Sequence, residues 1–224
     1  MTRLVLSGLL AVALPGAAAQ AEEFSLSFGA TFATEYVSNG IRLSDGPVVQ
    51  PYVELGFGGF YAGAYVSNLD PVLTAADLEY GLSLGYRGGD DSFSYDVGLA
   101  YYFYDEAFAG FPVEDYAEFI ASGTLAATEA LYLTASAAIA PEFDQTILSL
   151  RADYYTAVEG LSVGATVGRL DANYGAWTYW SIEATYSLTE NVSLGLGYHD
   201  SNVDPALGLS NTDGLIVGSV SFAF

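Results

Sequence analysis

The sequence predicts an all-β protein, a transmembrane up-and-down antiparallel β-barrel of about 12 strands. Three observations lead to this prediction. Apolar and small polar residues alternate with period two along most of the chain. Most alternating runs are close to the roughly 9–11 residues that a tilted strand needs to cross a bilayer. Short and long connections alternate between the runs, which is typical of a barrel with tight turns at one end and longer loops at the other.

The composition favours a folded protein with a large negative net charge. Hydrophobic residues make up 52% and aromatic residues 15% of the chain, which excludes intrinsic disorder, and the absence of cysteine excludes a disulfide scaffold. The formal net charge is −22, from 27 acidic and five basic residues. We expect no nucleic-acid partner, because neutralising phosphates requires clustered Lys and Arg.

The first segment has the features of a secretory signal peptide. Arg3 provides a cationic start, residues 4–14 form an apolar run, and residues 19–21 form a small-x-small cleavage site. The apolar run is too short for a membrane anchor, because a helix needs about 20 apolar residues to span a bilayer. We expect residues 1–21 to be cleaved and residues 22–224 to form the barrel.

The strand pattern begins at Phe24. The run FSLSFGATF places Phe and Leu on one face and Ser, Gly and Thr on the other, and the runs that start at Leu78 and Phe93 repeat this arrangement. Tight turns carry the sequences GFGGF, RGGDD, ATEAL, TAVEGL and LTENV, and loops rich in Pro, Asn and Asp lie between them. The alternating runs span residues 24–33, 48–57, 60–67, 78–87, 93–103, 116–126, 131–139, 146–156, 161–170, 177–188, 192–199 and 214–224.

The composition of the two strand faces predicts a lipid environment. A soluble β-sandwich or lipocalin-like barrel also alternates, but its polar face must cover a water-exposed surface. Here the polar face is mostly Gly, Ser, Ala and Thr, whereas the other face is a row of Leu, Val, Phe and Tyr. We expect the apolar face to contact outer-membrane lipid, with Tyr36, Tyr86 and Trp180 at headgroup depth. Such a barrel must be closed, since an open edge leaves backbone groups unpaired in hydrocarbon.

Two segments of the first half resemble a known family. EYVSNGIRLSDGPVVQPYVELGFGGFYAGAYVSNLD and LEYGLSLGYRGGDDSFSYDVGLAYYFY are similar to the TorF-like family of bacterial outer-membrane porins. The similarity is best over about residues 30–120, and FYAGAYVSN is more specific than any single Gly or Tyr. Family members usually carry Arg-Gly-Ile after the first strand, where this chain has Asn39-Gly40-Ile41 with Arg42 displaced. The resemblance implies a porin barrel of the bacterial outer membrane whose solute is largely unassigned.

The last residues, VSFAF, resemble the terminal-strand signal of outer-membrane barrels, whose final aromatic residue is recognised by the assembly machinery. Phe222 and Phe224 share the lipid-side register of Val220 and Ile216. The resemblance implies that Phe224 and Phe222 form an assembly signal. It also implies that the barrel-assembly machinery is a partner during biogenesis.

The polar strand face predicts the lining of the lumen, and its charged residues are mostly acidic. Carboxylates along a water-filled path attract cations, so we expect a passive channel for small solutes or ions that favours cations. Two states of the lumen stay open: a continuous path, or an interior filled by its own side chains with the charges paired across strands. The predicted lumen-lining residues are Glu35, Glu54, Glu79, Asp96, Glu118, Asp153, Glu183, Arg87 and Arg151. Inward tyrosines either form a stacking track for a sugar or aromatic solute or simply pack the lumen; these are Tyr52, Tyr102, Tyr132, Tyr155 and Tyr179.

Two other functions remain as alternatives: a non-conducting structural or adhesive barrel, and an outer-membrane hydrolase that uses His199 of GYHDSN. We expect no enzyme, because sequence adjacency does not bring a nucleophile, a base and an orienting carboxylate together. We also expect no metal site and no cofactor, since the acidic loops lack the D-x-D-x-D-G spacing and no phosphate-binding loop is present. The sequence defines neither the solute nor the oligomeric state.

Overall fold

The computed structural model describes residues 24–106, 113–210 and 212–224. The segment predicted to be a signal peptide, residues 1–21, lies outside the described residues. The strands are β1 (Phe24–Ala33), β2 (Val37–Ser38), β3 (Ile41–Arg42), β4 (Val48–Phe57), β5 (Phe60–Asn68), β6 (Ala76–Gly89), β7 (Phe93–Glu106), β8 (Tyr116–Ala126), β9 (Leu131–Ala140), β10 (Gln145–Tyr155), β11 (Leu161–Ala172), β12 (Gly175–Ser187), β13 (Val192–Ser201) and β14 (Leu215–Ala223). Short helical turns span Pro71–Thr74, Pro141–Phe143 and Pro205–Leu207.

All strands except β2 and β3 form one closed antiparallel barrel, in which β1 closes the sheet against β14. The predicted fold class, a barrel of about 12 antiparallel strands, is therefore confirmed. Each predicted run corresponds to one barrel strand, and most bounds agree within two residues. Strands β2 and β3 pair only with each other, and the sequence did not predict them.

The two ends of the barrel differ in their connections. One end, which we call the turn end, carries the tight turns, and the other, the loop end, carries the longer loops and the helical turns. In the turn after β6, the carboxylate of Asp90 accepts hydrogen bonds from Ser92 Oγ and from the backbone N–H groups of Ser92 and Phe93. These bonds lower the pKa of the Asp90 side chain. Among the described residues, no helix has both the length and the apolar character required to span a membrane.

The outer face of the barrel is apolar and exposed, as the alternation predicts. Leu84, in the middle of β6, exposes 60% of its surface. Aromatic pairs lie towards both ends: the rings of Phe24 and Phe57 are 4.7 Å apart at the turn end, and those of Trp180 and Tyr198 are 5.2 Å apart nearer the loop end. The barrel therefore has an apolar wall with aromatic residues near its two ends.

The buried apolar core lies inside the barrel at the loop end. Its members come from β2–β3 and the neighbouring loops as well as from the inner face of the wall. The buried residues are Tyr36, Ile41, Leu43, Val48, Leu69, Ala76, Val113, Ala138, Ile147, Leu170, Trp177, Val203 and Leu209. The loops of this end are thus folded inward rather than away from the barrel.

Candidate functional site

The candidate site is the barrel interior, and its first feature is the hairpin formed by β2 and β3 with residues 34–47. Strand β1 ends at Ala33, and the chain then turns into the lumen, where Tyr36 is only 5% exposed. The Tyr36 hydroxyl donates a hydrogen bond of 2.9 Å to Glu79 Oε1. The prediction of Tyr36 as an outward-facing residue is therefore wrong, because the alternating register stops where the strand stops.

The hairpin turns at Asn39 and Gly40, which both have left-handed φ values, 48° and 78°. An Asn-Gly pair with two positive φ angles is the signature of a tight hairpin turn. A Cβ atom on Gly40 would lie 2.5 Å from Tyr179 Cβ and 2.7 Å from Ser201 Cβ, so only glycine fits at this position. The turn is thus pressed against the inner wall at β12 and β13.

Two hydrogen bonds hold the turn to the wall. Trp177 Nε1 donates to the carbonyl oxygen of Asn39 at 2.8 Å, and Ser201 Oγ donates to that of Gly40 at 2.7 Å. Beside the turn, a cavity of about 20 Å³ lies between Asn39, Ser136 and Ser149. Such a volume holds about one water molecule. At this level the described residues fill the lumen.

A layer of buried carboxylates and tyrosines lies beside the hairpin. Glu79 is fully buried and accepts hydrogen bonds from Tyr36, from Tyr104 at 3.0 Å and from Tyr65. The three hydroxyl donors compensate for the lost hydration of this carboxylate. Burial, and then the charge of Glu79, raise the pKa of Tyr36 well above its ordinary value.

Glu118 is the second fully buried carboxylate of this layer. Its Oε1 accepts a long hydrogen bond of 3.4 Å from Gln145 Nε2, and Gln145 Oε1 accepts one of 2.6 Å from the Tyr174 hydroxyl. The rings of Tyr102 and Tyr116 stack beside it with centroids 5.0 Å apart. Glu79 and Glu118 lie in the barrel interior, and neither of them contacts solvent.

The turn half of the lumen has a different character, because its charged residues are partly exposed and paired. Arg87 makes a two-point contact with Glu54, at 3.1 Å and 2.8 Å, and its Nε lies 3.5 Å from Asp96 Oδ2. The guanidinium carbon lies 4.1 Å from the ring centre of Tyr61, whose hydroxyl donates to Asp96 at 2.8 Å. One arginine therefore holds two carboxylates, Asp96 on the adjacent strand β7 and Glu54 on β4, two strands away.

Arg151 forms a second cluster of the same kind. Its Nη2 lies 2.8 Å from Asp153 Oδ1, and its Nη1 lies 2.9 Å from Glu183 Oε2. Ser181 Oγ donates a further hydrogen bond of 3.0 Å to Glu183 Oε1. The side chains of Arg151, Asp153 and Glu183 are between 28% and 36% exposed, so water reaches this half of the lumen.

The predicted lumen-lining residues therefore fall into three groups: a buried layer, a partly exposed cluster around Arg87 and a partly exposed cluster around Arg151. Glu35 belongs to none of these groups. Glu35 was predicted to be an inward strand residue, but it follows the end of β1 and lies 2.8 Å from Arg42 Nε. Arg42 also pairs with Asp45 at 2.7 Å. These charges belong to the hairpin rather than to the wall. Whether any lumen residue sets selectivity stays a prediction.

His199 faces the lumen on β13, directly opposite Ser181 of β12. Ser181 donates its hydroxyl hydrogen to Glu183, and Glu183 is paired with Arg151. A hydrolase site instead needs the serine to donate to the histidine and the histidine to be oriented by the carboxylate. In the part of the chain that the structure describes, no three His, Asp or Glu side chains lie in a position to hold a metal ion.

The site residues that the sequence did not single out are Tyr65, Tyr104 and Trp177, and the role of Tyr36 was assigned incorrectly. The Asn39-Gly40 pair was the available signal for the hairpin. Its flanking strands have only two residues each, which is too short for a period-two pattern.

Comparison with solved structures places this barrel among porin folds. The KdgM porin superposes with a TM-score of 0.63 at 12% identity, covering 88% of this chain and 99% of that one. The KdgM porin in complex with disordered oligogalacturonate superposes with a TM-score of 0.64 at 12% identity and the same coverage. The NanC porin superposes with a TM-score of 0.54 at 11% identity, covering 89% and 98% of the two chains. At these identities the similarity shows the fold alone.

No curated protein matches the chain in sequence. A model of one protein family does match, over residues 17–222, and its description is a bacterial protein of unknown function. That match covers all strands of the barrel except the last residue of β14. The chain therefore belongs to this family, Gcw_chp.

Proposed function

We propose that the protein is a porin-like channel of the bacterial outer membrane, through which small solutes or ions diffuse passively. The observation that carries the proposal is a closed barrel of 12 strands that is apolar on its outside and charged on its inside, in a fold shared with the KdgM and NanC porins. The resemblance of residues 30–120 to TorF-like porins supports the same class. We also propose that the protein is related to the TorF-like porins and that the predicted signal peptide directs its export.

The outer face supports a place in lipid. Exposed Leu, Val and Phe side chains cover the wall, and aromatic residues lie near both of its ends. In water such a wall would be an aggregation surface, whereas in a bilayer it matches the acyl chains and the headgroup regions. The purified barrel is therefore expected to need detergent or lipid to remain monodisperse. A compact monomer in detergent-free buffer would contradict the proposal.

The turn half of the lumen supports a preference for cations. Each of Arg87 and Arg151 contacts two carboxylates, so an excess of negative charge remains in the part that water reaches. Oligogalacturonate, which one KdgM structure contains, is a chain of acidic sugars. Carboxylates in the lumen repel such a ligand, so we propose cationic or neutral solutes for this protein.

Ion selectivity provides the test. The combined variant Asp96→Asn, Asp153→Asn and Glu183→Gln leaves Arg151 without a charged partner in the lumen. Its reversal potential in a planar bilayer under a salt gradient is expected to shift towards the anion side. The control Asp171→Asn removes one charge from a residue whose side chain is 66% exposed on the outer face, and it should leave the reversal potential unchanged. An unchanged potential in the triple variant would exclude these carboxylates as the source of selectivity.

A further inference from the structure

The β2–β3 hairpin lies across the lumen and touches the wall on several sides. Tyr36 bonds to Glu79 on β6, while Trp177 on β12 and Ser201 on β13 bond to the turn of the hairpin. The cavity at Asn39 is completed by residues of β8, β9 and β10. Solute that enters from the turn end therefore meets the hairpin before it can reach the loop end.

We propose that this hairpin is a gate, which must leave the lumen before the barrel conducts. The inference rests on the proposed channel function and adds to it the element that controls passage. A barrel whose loop end is filled by buried residues cannot pass solute in this state. Passage therefore requires a second position of residues 34–47 and of the loop residues that pack against them.

The attachment of the hairpin makes this movement feasible. Strands β2 and β3 pair only with each other, so withdrawing them breaks no hydrogen bond of the barrel ladder. Backbone bonds link the hairpin to two loops, from Arg42 N to Ser210 O and from Asp70 N to Leu43 O. The bond from Thr34 N to Gly218 O of β14 lies at the base of the hairpin, so it can stay in place while the rest moves. The wall can therefore stay intact while the hairpin moves.

The wall opposite the hairpin is shaped to receive it. Around the turn of the hairpin, four small side chains lie among the larger Ile120, Ile147 and Tyr179, and they leave space that the hairpin occupies. The small residues are Ser136, Ala138, Ser149 and Ser201. Without the hairpin these four positions would line a wider space in the lumen, because their side chains are small.

A removable cross-link tests the gate, and the absence of cysteine in the chain makes the experiment clean. The pair Asn39→Cys and Ser149→Cys joins the hairpin to β10 across the cavity that both residues line. A short bis-methanethiosulfonate, which forms a disulfide with each cysteine and releases sulfinate, is expected to lower the conductance at least tenfold, and a reductant that cleaves these disulfides should restore it. The control pair Thr124→Cys and Thr134→Cys joins β8 to β9, where the two hydroxyl oxygens are 2.9 Å apart, and should conduct equally in both states.

Loosening the hairpin gives the opposite test. The double variant Tyr36→Phe and Ser201→Ala removes two hydrogen bonds, each of which shifts an equilibrium by roughly fivefold. We expect about a tenfold or greater rise in the fraction of time that single channels spend open. The control Ser221→Ala removes a 2.9 Å hydroxyl contact with Thr31 between β14 and β1, and should leave that fraction unchanged.

The outcomes separate the gate from the channel. If the cross-linked Asn39→Cys, Ser149→Cys protein conducts as well as its reduced form, the hairpin is not the barrier and the gate is excluded. If the wild type, the reduced pair and the loosened variant all fail to conduct, the channel function itself is overturned. Conduction that stops with the cross-link and returns with reduction supports both.

Discussion

At the scale of single residues, the alternation predicts which side chains face the barrel interior, but it does not predict which of them contact each other. The inward register of Glu79, Tyr65 and Tyr104 follows from period two, since each lies on the polar face of its strand. Their convergence on one carboxylate does not follow, because it depends on strand stagger and on Tyr36 from a separate loop. Sequence reasoning therefore predicts which face a residue lies on, but not which partner it has.

The hydrogen bonds from three tyrosines to Glu79 predict that two substitutions of this residue change the stability of the barrel by different amounts. Glu79→Leu leaves three buried hydroxyl groups without their acceptor, and each such loss costs about 1–3 kcal/mol. We expect a clear fall in the urea midpoint of unfolding, followed by circular dichroism in detergent. Glu79→Gln keeps one acceptor oxygen in the same place and should lose much less. Equal midpoints for the two variants would show that the carboxylate contacts do not stabilise the barrel.

The close packing around Gly40 predicts that an alanine substitution is more harmful there than at Gly58. Gly40 and Gly58 both have left-handed φ values, 78° and 58°, but only Gly40 has neighbours at the position of a Cβ atom. Gly58→Ala should cost only the backbone term of about 1–2 kcal/mol. Gly40→Ala should in addition displace the hairpin, and limited proteolysis of residues 34–47 is expected to accelerate in this variant alone. The same protection in both variants would contradict the close packing of the turn.

At the scale of elements, the strands were predictable and the hairpin was not. Each barrel strand alternates over nine or more residues and pairs with its neighbour in the chain, apart from the β1–β14 closure. The hairpin instead depends on contacts with residues far along the chain, such as Trp177, which is 138 positions from Asn39. The two-residue strands carry no period of their own. The sequence left open whether the lumen is open or filled, and the hairpin is the main element that fills it that the alternation could not show.

The contact between Phe28 and Phe224 at the β1–β14 closure predicts that Phe224→Ala affects barrel formation differently in a cell and in liposomes. Backbone groups of Phe224 and Phe28 bond to each other at 2.9 Å and 3.0 Å, and their rings stack with centroids 5.5 Å apart. Phe224→Ala keeps the backbone bonds, so folding into liposomes should proceed nearly as in the wild type. If the terminal aromatic is an assembly signal, the yield of folded barrel in outer membranes should fall several-fold. Phe28→Ala removes the same ring contact and should keep its yield in the cell, which separates recognition from stability.

At the scale of the whole molecule, the scarcity of basic residues offers a simple probe of the folded state. Trypsin cleaves after Lys and Arg, and the chain contains only five such residues. Arg87 and Arg151 lie on ladder strands, and Arg42 lies in the buried hairpin. Backbone held in a ladder resists proteolysis. The folded barrel in detergent is therefore expected to withstand trypsin on gels, while the heat-unfolded chain is cut at every arginine. Rapid cleavage after Arg42 alone would mean that the hairpin spends much of its time outside the lumen.

The docking of the hairpin onto β12 and β13 has a consequence for biogenesis. Residues 34–47 are synthesised early, but the wall against which they dock is formed by β12 and β13, which lie near the end of the chain. Contacts between such distant parts of a sequence form late in folding. The wall itself closes through pairs as distant as Thr31 and Ser221, which are 190 positions apart, so the hairpin docks at the same late stage of folding. In a copy whose wall closes before the hairpin docks, the membrane would be leaky until docking is complete.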